Sequence, residues 1–581
     1  MPNKRLVIFC LLLLLNLTVI AATTPVPLSF WGYQAIERWE TRGLIPFAFT
    51  HSKPFTRAEF AEYLQPVLDQ YRANPGLFSR TERDMLLELV REFREELNLE
   101  PAEIAGDQWT PRMRHWLDSP AFIWIPSPFY KNLRNALTLQ HGEFNLFADP
   151  IGAWQSFQVA DENGELQTIT RLSNGLTFRG NLGPRFGFYF DLTDNHIVDD
   201  RFKNGRTIPE VLEESGWPFV TRGDNGSYDM DQNLAGLTYA SKHFFFLFGR
   251  DYNTWGVGHD GNLLLSANAP LYDQVKFVIR YWRFKYTHIT AALNYVDQRY
   301  RVTMKEQPFI QVYWAGNRLE FYAGRGWRLG LSEAVIYGDR PLQIGYLTPV
   351  SFYKSLEHYY GDRDNGIISL DASWRIRNGI KIYGEWLIDD MTSRKLGSDF
   401  FGNKFGWQAG LQWVNWLGLR DFDLLAEYTR IKPYVYSQSY RDYNKYKHYD
   451  TILGHYIGPN SDDITIRLKK YFSRRLQVEA GFERYRHGSN SDSLNHGGDP
   501  DLAFRFGKDN RDAPFLQGLR NTQTAWSVEV AYEWVRGLES RFLFSRFKWN
   551  NRNWENMVAV RVGFNFGQRQ ENFKKVFPLS H

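Results

Sequence analysis

Three stretches of this 581-residue sequence set flat aromatic rings beside charged forks. Arg250 lies just before Trp255, Arg325-Gly326-Trp327-Arg328 leads into Glu333, and a longer stretch interleaves Tyr434, Tyr436, Tyr440, Tyr443, Tyr446 and Tyr449 with Arg441, Lys445 and Lys447. Ring faces cover the C–H surface of a sugar, and guanidinium or ammonium groups bond its hydroxyls and carboxylates. Arg250, Trp255, Arg325, Trp327, Arg328, Tyr436, Tyr440, Arg441, Tyr443 and Lys445 are therefore the expected polysaccharide contacts. The first two stretches also admit an internal reading, in which rings and charges on glycine-rich turns satisfy one another. Gly256, Gly258 and Gly261 fit tight backbone geometry.

Catalysis leaves no comparable trace. The 13 histidines are scattered, and the sequence contains neither a Gly-x-Ser-x-Gly elbow nor a His-Glu-x-x-His pair. Glu529 and Glu533 are paired acids, of the kind that barrel interiors gather into charge networks. The acidic stretch at 224–231 lacks EF-hand spacing and is expected to be a plain loop. No enzyme, cofactor or metal site is expected.

Composition narrows what must hold these residues. With 20 Trp, 32 Tyr and 44 Phe the chain is 17% aromatic, yet its mean hydropathy is −0.46. So many rings exclude a disordered chain, and beyond the N-terminus no apolar run is long enough for a spanning helix. A net charge of +4, falling to +2 once Lys4 and Arg5 are removed, implies no nucleic-acid partner.

Residues 1–22 read as a secretory signal: Lys4 and Arg5, an apolar run from Leu6 to Leu15, then small residues to Ala22. Cys10, the single cysteine, lies inside it, so the exported chain would hold no thiol or disulfide. From 25 to about 100 the period is helical. Trp31, Ala35, Ile36 and Trp39 share a face that Gly43 ends, and Thr56 with Glu59 and Ser79 with Glu82 form two capping boxes. Residues 101–130, with Pro111, Pro120, Pro126 and Pro128, read as a linker.

Beyond residue 131 the period becomes two. Phe186, Phe188, Phe190 and Leu192 alternate with Gly187, Tyr189, Asp191 and Thr193, and the pattern recurs to Val558, Val560, Val562 and Phe564. The runs reach the roughly 9 to 11 residues that a tilted strand needs to cross a bilayer, and their polar faces carry full charges. Lipid permits no unpaired edge, so the strands must close. The expected fold is mainly β: a large antiparallel transmembrane β-barrel at 131–566 with a small N-terminal α-helical periplasmic domain. At roughly 24 residues per strand with its share of loop, about 18 strands are expected. The polar stretches at 194–232, 434–464 and 487–525 are expected to be external loops, and 567–581 a C-terminal tail.

Two resemblances follow. The first segment resembles one S-layer homology unit through Tyr33, Ala35, Ile36, Gly43, Leu44, Ile45 and Phe55-Thr56-Arg57-Ala58-Glu59-Phe60-Ala61. That implies a contact with peptidoglycan or another cell-wall polymer. The segment Gly249-Arg250-Asp251-Tyr252-Asn253-Thr254-Trp255-Gly256-Val257-Gly258, continuing through Gly261-Asn262-Leu263-Leu264-Leu265-Ser266 to Asn268-Ala269-Pro270, resembles the Wzi family of capsule assembly proteins. So do Leu329-Gly330-Leu331-Ser332-Glu333 with Tyr337-Gly338, then Pro349, Phe352-Tyr353, Glu357 and Asp364-Asn365-Gly366, and Leu453-Gly454 with Gly458-Pro459-Asn460-Ser461-Asp462. This resemblance implies an outer-membrane barrel of about eighteen strands that holds capsular or other surface polysaccharide in a lectin-like manner. The expected setting is a monomer in outer-membrane lipid and lipopolysaccharide. The competing expectation is a porin whose N-terminal domain touches the cell wall.

Overall fold

A computed structural model describes residues 24–99, 135–160, 166–200, 221–222, 226–296, 309–349, 351–438, 441–550 and 552–565. The export signal, the linker, the C-terminal tail and Tyr440 lie outside the described residues.

Three helices form where the sequence caps them. Helix α1 (Gly32–Arg42) ends at Gly43, whose φ of 81° only glycine adopts without strain. Helices α2 (Arg57–Ala73) and α3 (Arg80–Glu92) both start in complete capping boxes, Thr56 with Glu59 and Ser79 with Glu82. Their apolar faces meet around Trp39, Leu64, Leu86 and a Phe60–Phe93 ring stack at 4.5 Å.

Eighteen antiparallel strands, counted over the described residues, close into one barrel. They are β1 (Phe144–Ala160), β2 (Leu166–Leu182), β3 (Phe186–Asp199), β4 (Ser227–Ala240), β5 (Phe244–Asp251), β6 (Tyr272–Tyr281), β7 (Phe284–Val296), β8 (Phe309–Gly324) and β9 (Trp327–Gly338). The circuit continues through β10 (Asn365–Arg377), β11 (Ile380–Asp390), β12 (Lys404–Trp413), β13 (Phe422–Ile431), β14 (Ser461–Tyr471), β15 (Leu476–Ser489), β16 (Leu519–Val535), β17 (Leu538–Trp549) and β18 (Glu555–Phe564). Pairing of β18 with β1, Val560 opposite Ser156 and Phe564 opposite Gly152, completes it. A short strand, Leu137–His141, pairs with the start of β1 and continues the line of β18.

Alternation sets the two faces. Along β11, Ile382 and Trp386 point outward while Lys381, Glu385 and Leu387 are buried inside. Outward rings gather at both ends of the apolar belt: Trp386, Phe405 and Trp407 at one, and at the other Trp327 stacked on Trp374 at 4.9 Å. This is the aromatic-girdle pattern of a bilayer-spanning barrel.

One end has short turns and the other long segments. The long ends begin later than expected, because residues 194–199, 227–232, 461–464 and 519–525 extend β3, β4, β14 and β16 instead of lying in loops. Hydropathy stops marking a strand where lipid stops, but neighbouring backbones go on pairing into water.

Candidate functional site

At the short-turn end the helical domain seats in the barrel mouth through charge. Glu40 of α1 meets Arg328 at 2.6 Å, Lys381 at 3.2 Å and Arg375 at 3.7 Å, while Glu59 of α2 meets Lys285 at 3.0 Å and Arg280 at 3.2 Å. Burial works against ionisation of both acids, but the cations override it and hold each carboxyl at about 2. Arg38, itself buried, reaches Glu82, Asp421 and Asp423.

The segment after α1 then enters the lumen. His51 bonds Asp371 at 2.6 Å and Ser373 at 2.8 Å, and Ser52 and Lys53 pair antiparallel with Trp255 and Thr254. Those partners belong to the segment between β5 and β6, residues 252–271, which folds inward from the long-loop end. Wall carboxylates hold its backbone two amides at a time. Glu427 accepts from His259 N and Asp260 N at 2.9 and 3.3 Å, and Glu385 from Leu263 N and Leu264 N at 3.2 and 3.3 Å. Trp255, Leu263, Leu264 and Leu265 are buried against Ile289, Trp314 and Ile336 of the wall. A Cβ on Gly258 would lie 1.9 Å from Gly261 O, and one on Gly256 2.5 Å from Asn262 Oδ1, so neither position admits a side chain.

A third segment, 339–364, leaves the long-loop end and straps the outer wall of β7–β9. Tyr353 N donates to Glu333 Oε2 at 2.9 Å, Tyr346 OH to Asp364 Oδ2 at 2.7 Å, and Tyr286 OH to Pro349 O. The motifs singled out in the sequence thus build an inner plug and an outer strap, and they do so in chain order. The sequence profile of the capsule assembly protein Wzi family matches residues 153–557, which span both. The chain belongs to this family.

Among solved structures the chain is similar to Escherichia coli Wzi, described as a carbohydrate-binding outer-membrane β-barrel involved in group 1 capsule assembly. The two are 12% identical with a TM-score of 0.51, over 94% of this chain and 100% of that one. At that identity the likeness establishes the fold, a closed antiparallel β-barrel. Pseudomonas aeruginosa OccK8 (OprE) is similar at 9% identity and a TM-score of 0.41, over 72% of this chain and 97% of that one. No curated protein matches.

In this Wzi-family barrel the expected sugar contacts disperse. Trp255 is fully buried in the plug. Arg328 is also buried, donating to Ala48 O at 2.8 Å and pairing with Glu40. Arg325 occupies the β8–β9 turn at φ 51°, and Trp327 belongs to a girdle. Arg250 faces outward from β5, paired twice with Asp273 at 2.8 and 2.9 Å. The internal reading of the first two stretches accounts for Trp255 and Arg328. The tyrosine-rich stretch is mostly interior as well. Tyr434, Tyr436 and Tyr446 have no exposure, and Tyr436 OH donates to Leu263 O at 2.7 Å, tying this stretch to the plug. Lys445 is buried near Asp442 and Asp501, Tyr443 is half-buried beside Gly338, and Arg441 is exposed.

An exposed ring-and-base surface forms elsewhere, where segments 391–403 and 490–518 meet. Phe401 N donates to Arg511 O at 2.9 Å and Ala513 N to Asp399 O at 2.7 Å, locking the two together. Phe401 stacks on Phe504 at 3.6 Å over Tyr434, which leaves Phe506 70% exposed and Phe400 half-exposed beneath the Lys395 ammonium at 5.2 Å. Around the rings Arg394, Lys508 and Arg511 are exposed and make no ion pair among the described residues, whereas Arg505 is held by Asp509 at 2.7 Å. The sequence did carry a signal, Phe504-Arg505-Phe506-Gly507-Lys508 and Arg394-Lys395 ahead of Phe400-Phe401. It went unread because no tyrosine or tryptophan marks it.

Proposed function

We propose that the chain binds and anchors capsular or related surface polysaccharide on the ring-and-base surface at its long-loop end, acting as an attachment protein in capsule assembly. The observation that carries this reading is the exposure of Phe506 and Phe400 on one surface with Arg394, Lys508 and Arg511, cations that make no ion pair among the described residues. Rings take the apolar face of a sugar, and the bases favour an anionic polymer. On this reading the long loops face outward, and the helical domain lies in the periplasm, where it offers a surface to cell-wall polymer. The barrel works as a monomer that attaches polymer without cleaving it.

The plug argues against free diffusion through the barrel. Segment 252–271 and residues 51–53 fill the β6–β13 side of the lumen, and the helical domain occupies its mouth. Deleting the gene in its host and measuring polysaccharide in cells and medium tests attachment. Release of polymer, reversed by wild type but not by Phe400→Ala/Phe506→Ala, is expected. If the deletion strain keeps all its polymer cell-bound, attachment is the wrong function.

A further inference from the structure

A second, smaller site lies on the outside of the barrel. At the long-loop end of β12 and β13 the outward residues change from apolar to cationic within one strand: Leu424 and Ala426 are followed by Tyr428 and Arg430, with Lys432 just beyond the strand end. Trp407 stands directly opposite Arg430 in register. Together Trp407, Tyr428, Arg430 and Lys432 line an open groove of about 350 Å³.

The charges in this groove do not cancel. Asp462 is the register partner of Arg430 on β14, but Arg486 of β15 takes its carboxylate through Nε at 2.8 Å and again through a terminal guanidinium nitrogen, and Tyr428 OH donates to it as well. Asp399 lies 3.7 Å from Lys432. Two acids therefore face three bases. Among the described residues Arg430 pairs with no carboxylate: its guanidinium lies on the Phe515 ring at 3.8 Å, and its Nε is buried without a hydrogen-bond partner. An unpartnered guanidinium held against a ring beside a tryptophan and a tyrosine calls for an anion carried on a sugar.

We infer that this groove seats a phosphorylated glycolipid of the outer leaflet, its phosphate on Arg430 and Lys432 and its sugar against Trp407 and Tyr428. The level of the groove selects a lipid over a soluble anion. Phe405 and Trp407 belong to the girdle that ends the apolar belt, so the cations stand where headgroups lie while the strand below them faces acyl chains. The groove adjoins the polymer-binding surface through Phe515 and Asp399, but its lining residues are distinct from Phe400 and Phe506, so each can be altered without removing the other.

The test is native mass spectrometry of the purified full chain in detergent, titrated separately with bisphosphorylated lipid A, its monophosphorylated form and phosphatidylglycerol. Wild type is expected to hold one bisphosphorylated molecule at least fivefold more tightly than phosphatidylglycerol. R430Q should weaken that binding about tenfold and W407A less, with Arg484→Gln, an exposed outward base two strands along the wall from Tyr428, unchanged. Heat-modifiable migration shows each variant to be folded. Equal binding of phosphatidylglycerol, no loss in R430Q, or an equal loss in R484Q would overturn the assignment.

Discussion

The segments at 252–271 and 490–518 both leave the barrel at its long-loop end, and both mix rings with charges and glycines. One is swallowed and the other stands out. In the first, wall carboxylates Glu385 and Glu427 satisfy the backbone and Trp255 is fully buried; in the second, a Phe401–Phe504 stack leaves Phe506 in solvent near Lys508 and Arg511, which pair with no acid among the described residues. The inner segment carries the family's recognisable motif and the outer one carries the surface that suits a ligand. Close packing of backbone against a wall demands glycine and fixed partners, so support leaves a sharper pattern in sequence than recognition does.

The largest expected effect breaks the inner member of the pair. Trp255→Ala should open a cavity and cost about 3–5 kcal/mol, read as a lowered midpoint of thermal unfolding on semi-native gels. Polymer binding by the fraction still folded should be unchanged. A stable W255A that lost polymer would move recognition into the plug.

Acid should act next, on the seat of the helical domain. Glu40 and Glu59 have folded values of about 2 against an ordinary 4.5, so the stability they give is fully present above about pH 4.5 and is lost as pH falls toward 2. Protease sensitivity of residues 24–99 should stay low at pH 7 and rise steadily below pH 4, with the barrel still closed. Full protection at pH 2.5 would show that the ion pairs do not hold the domain.

Much of this was legible beforehand. Thr56 with Glu59 and Ser79 with Glu82 marked two helix starts, because a capping box is local, and the alternation from Val558 to Phe564 marked β18, because one face meets lipid. Which way a long segment folds is not local. Tyr436 and Tyr446 read as exposed loop rings until Leu263 O and Trp314 Nε1 supplied their partners from the plug and the far wall. Arg250 and Trp255, near in sequence, lie on opposite sides of that wall.

Smaller effects sharpen the outer member. Phe506→Ala removes an exposed ring and should weaken polymer binding about tenfold, roughly 1.4 kcal/mol, with stability within about 0.5 kcal/mol of wild type. Lys508→Gln should cost twofold to threefold, an effect that disappears in high salt as screening removes the charge's contribution. A salt-independent loss in K508Q would point to packing instead of charge.

Affinity electrophoresis of the folded protein through gels containing polysaccharide from its own host tests the central claim most directly. Wild type should be retarded in proportion to polymer concentration, and Phe400→Ala/Phe506→Ala should migrate as in an empty gel while keeping its heat-modifiable shift. Equal retardation of the two proteins would contradict the account.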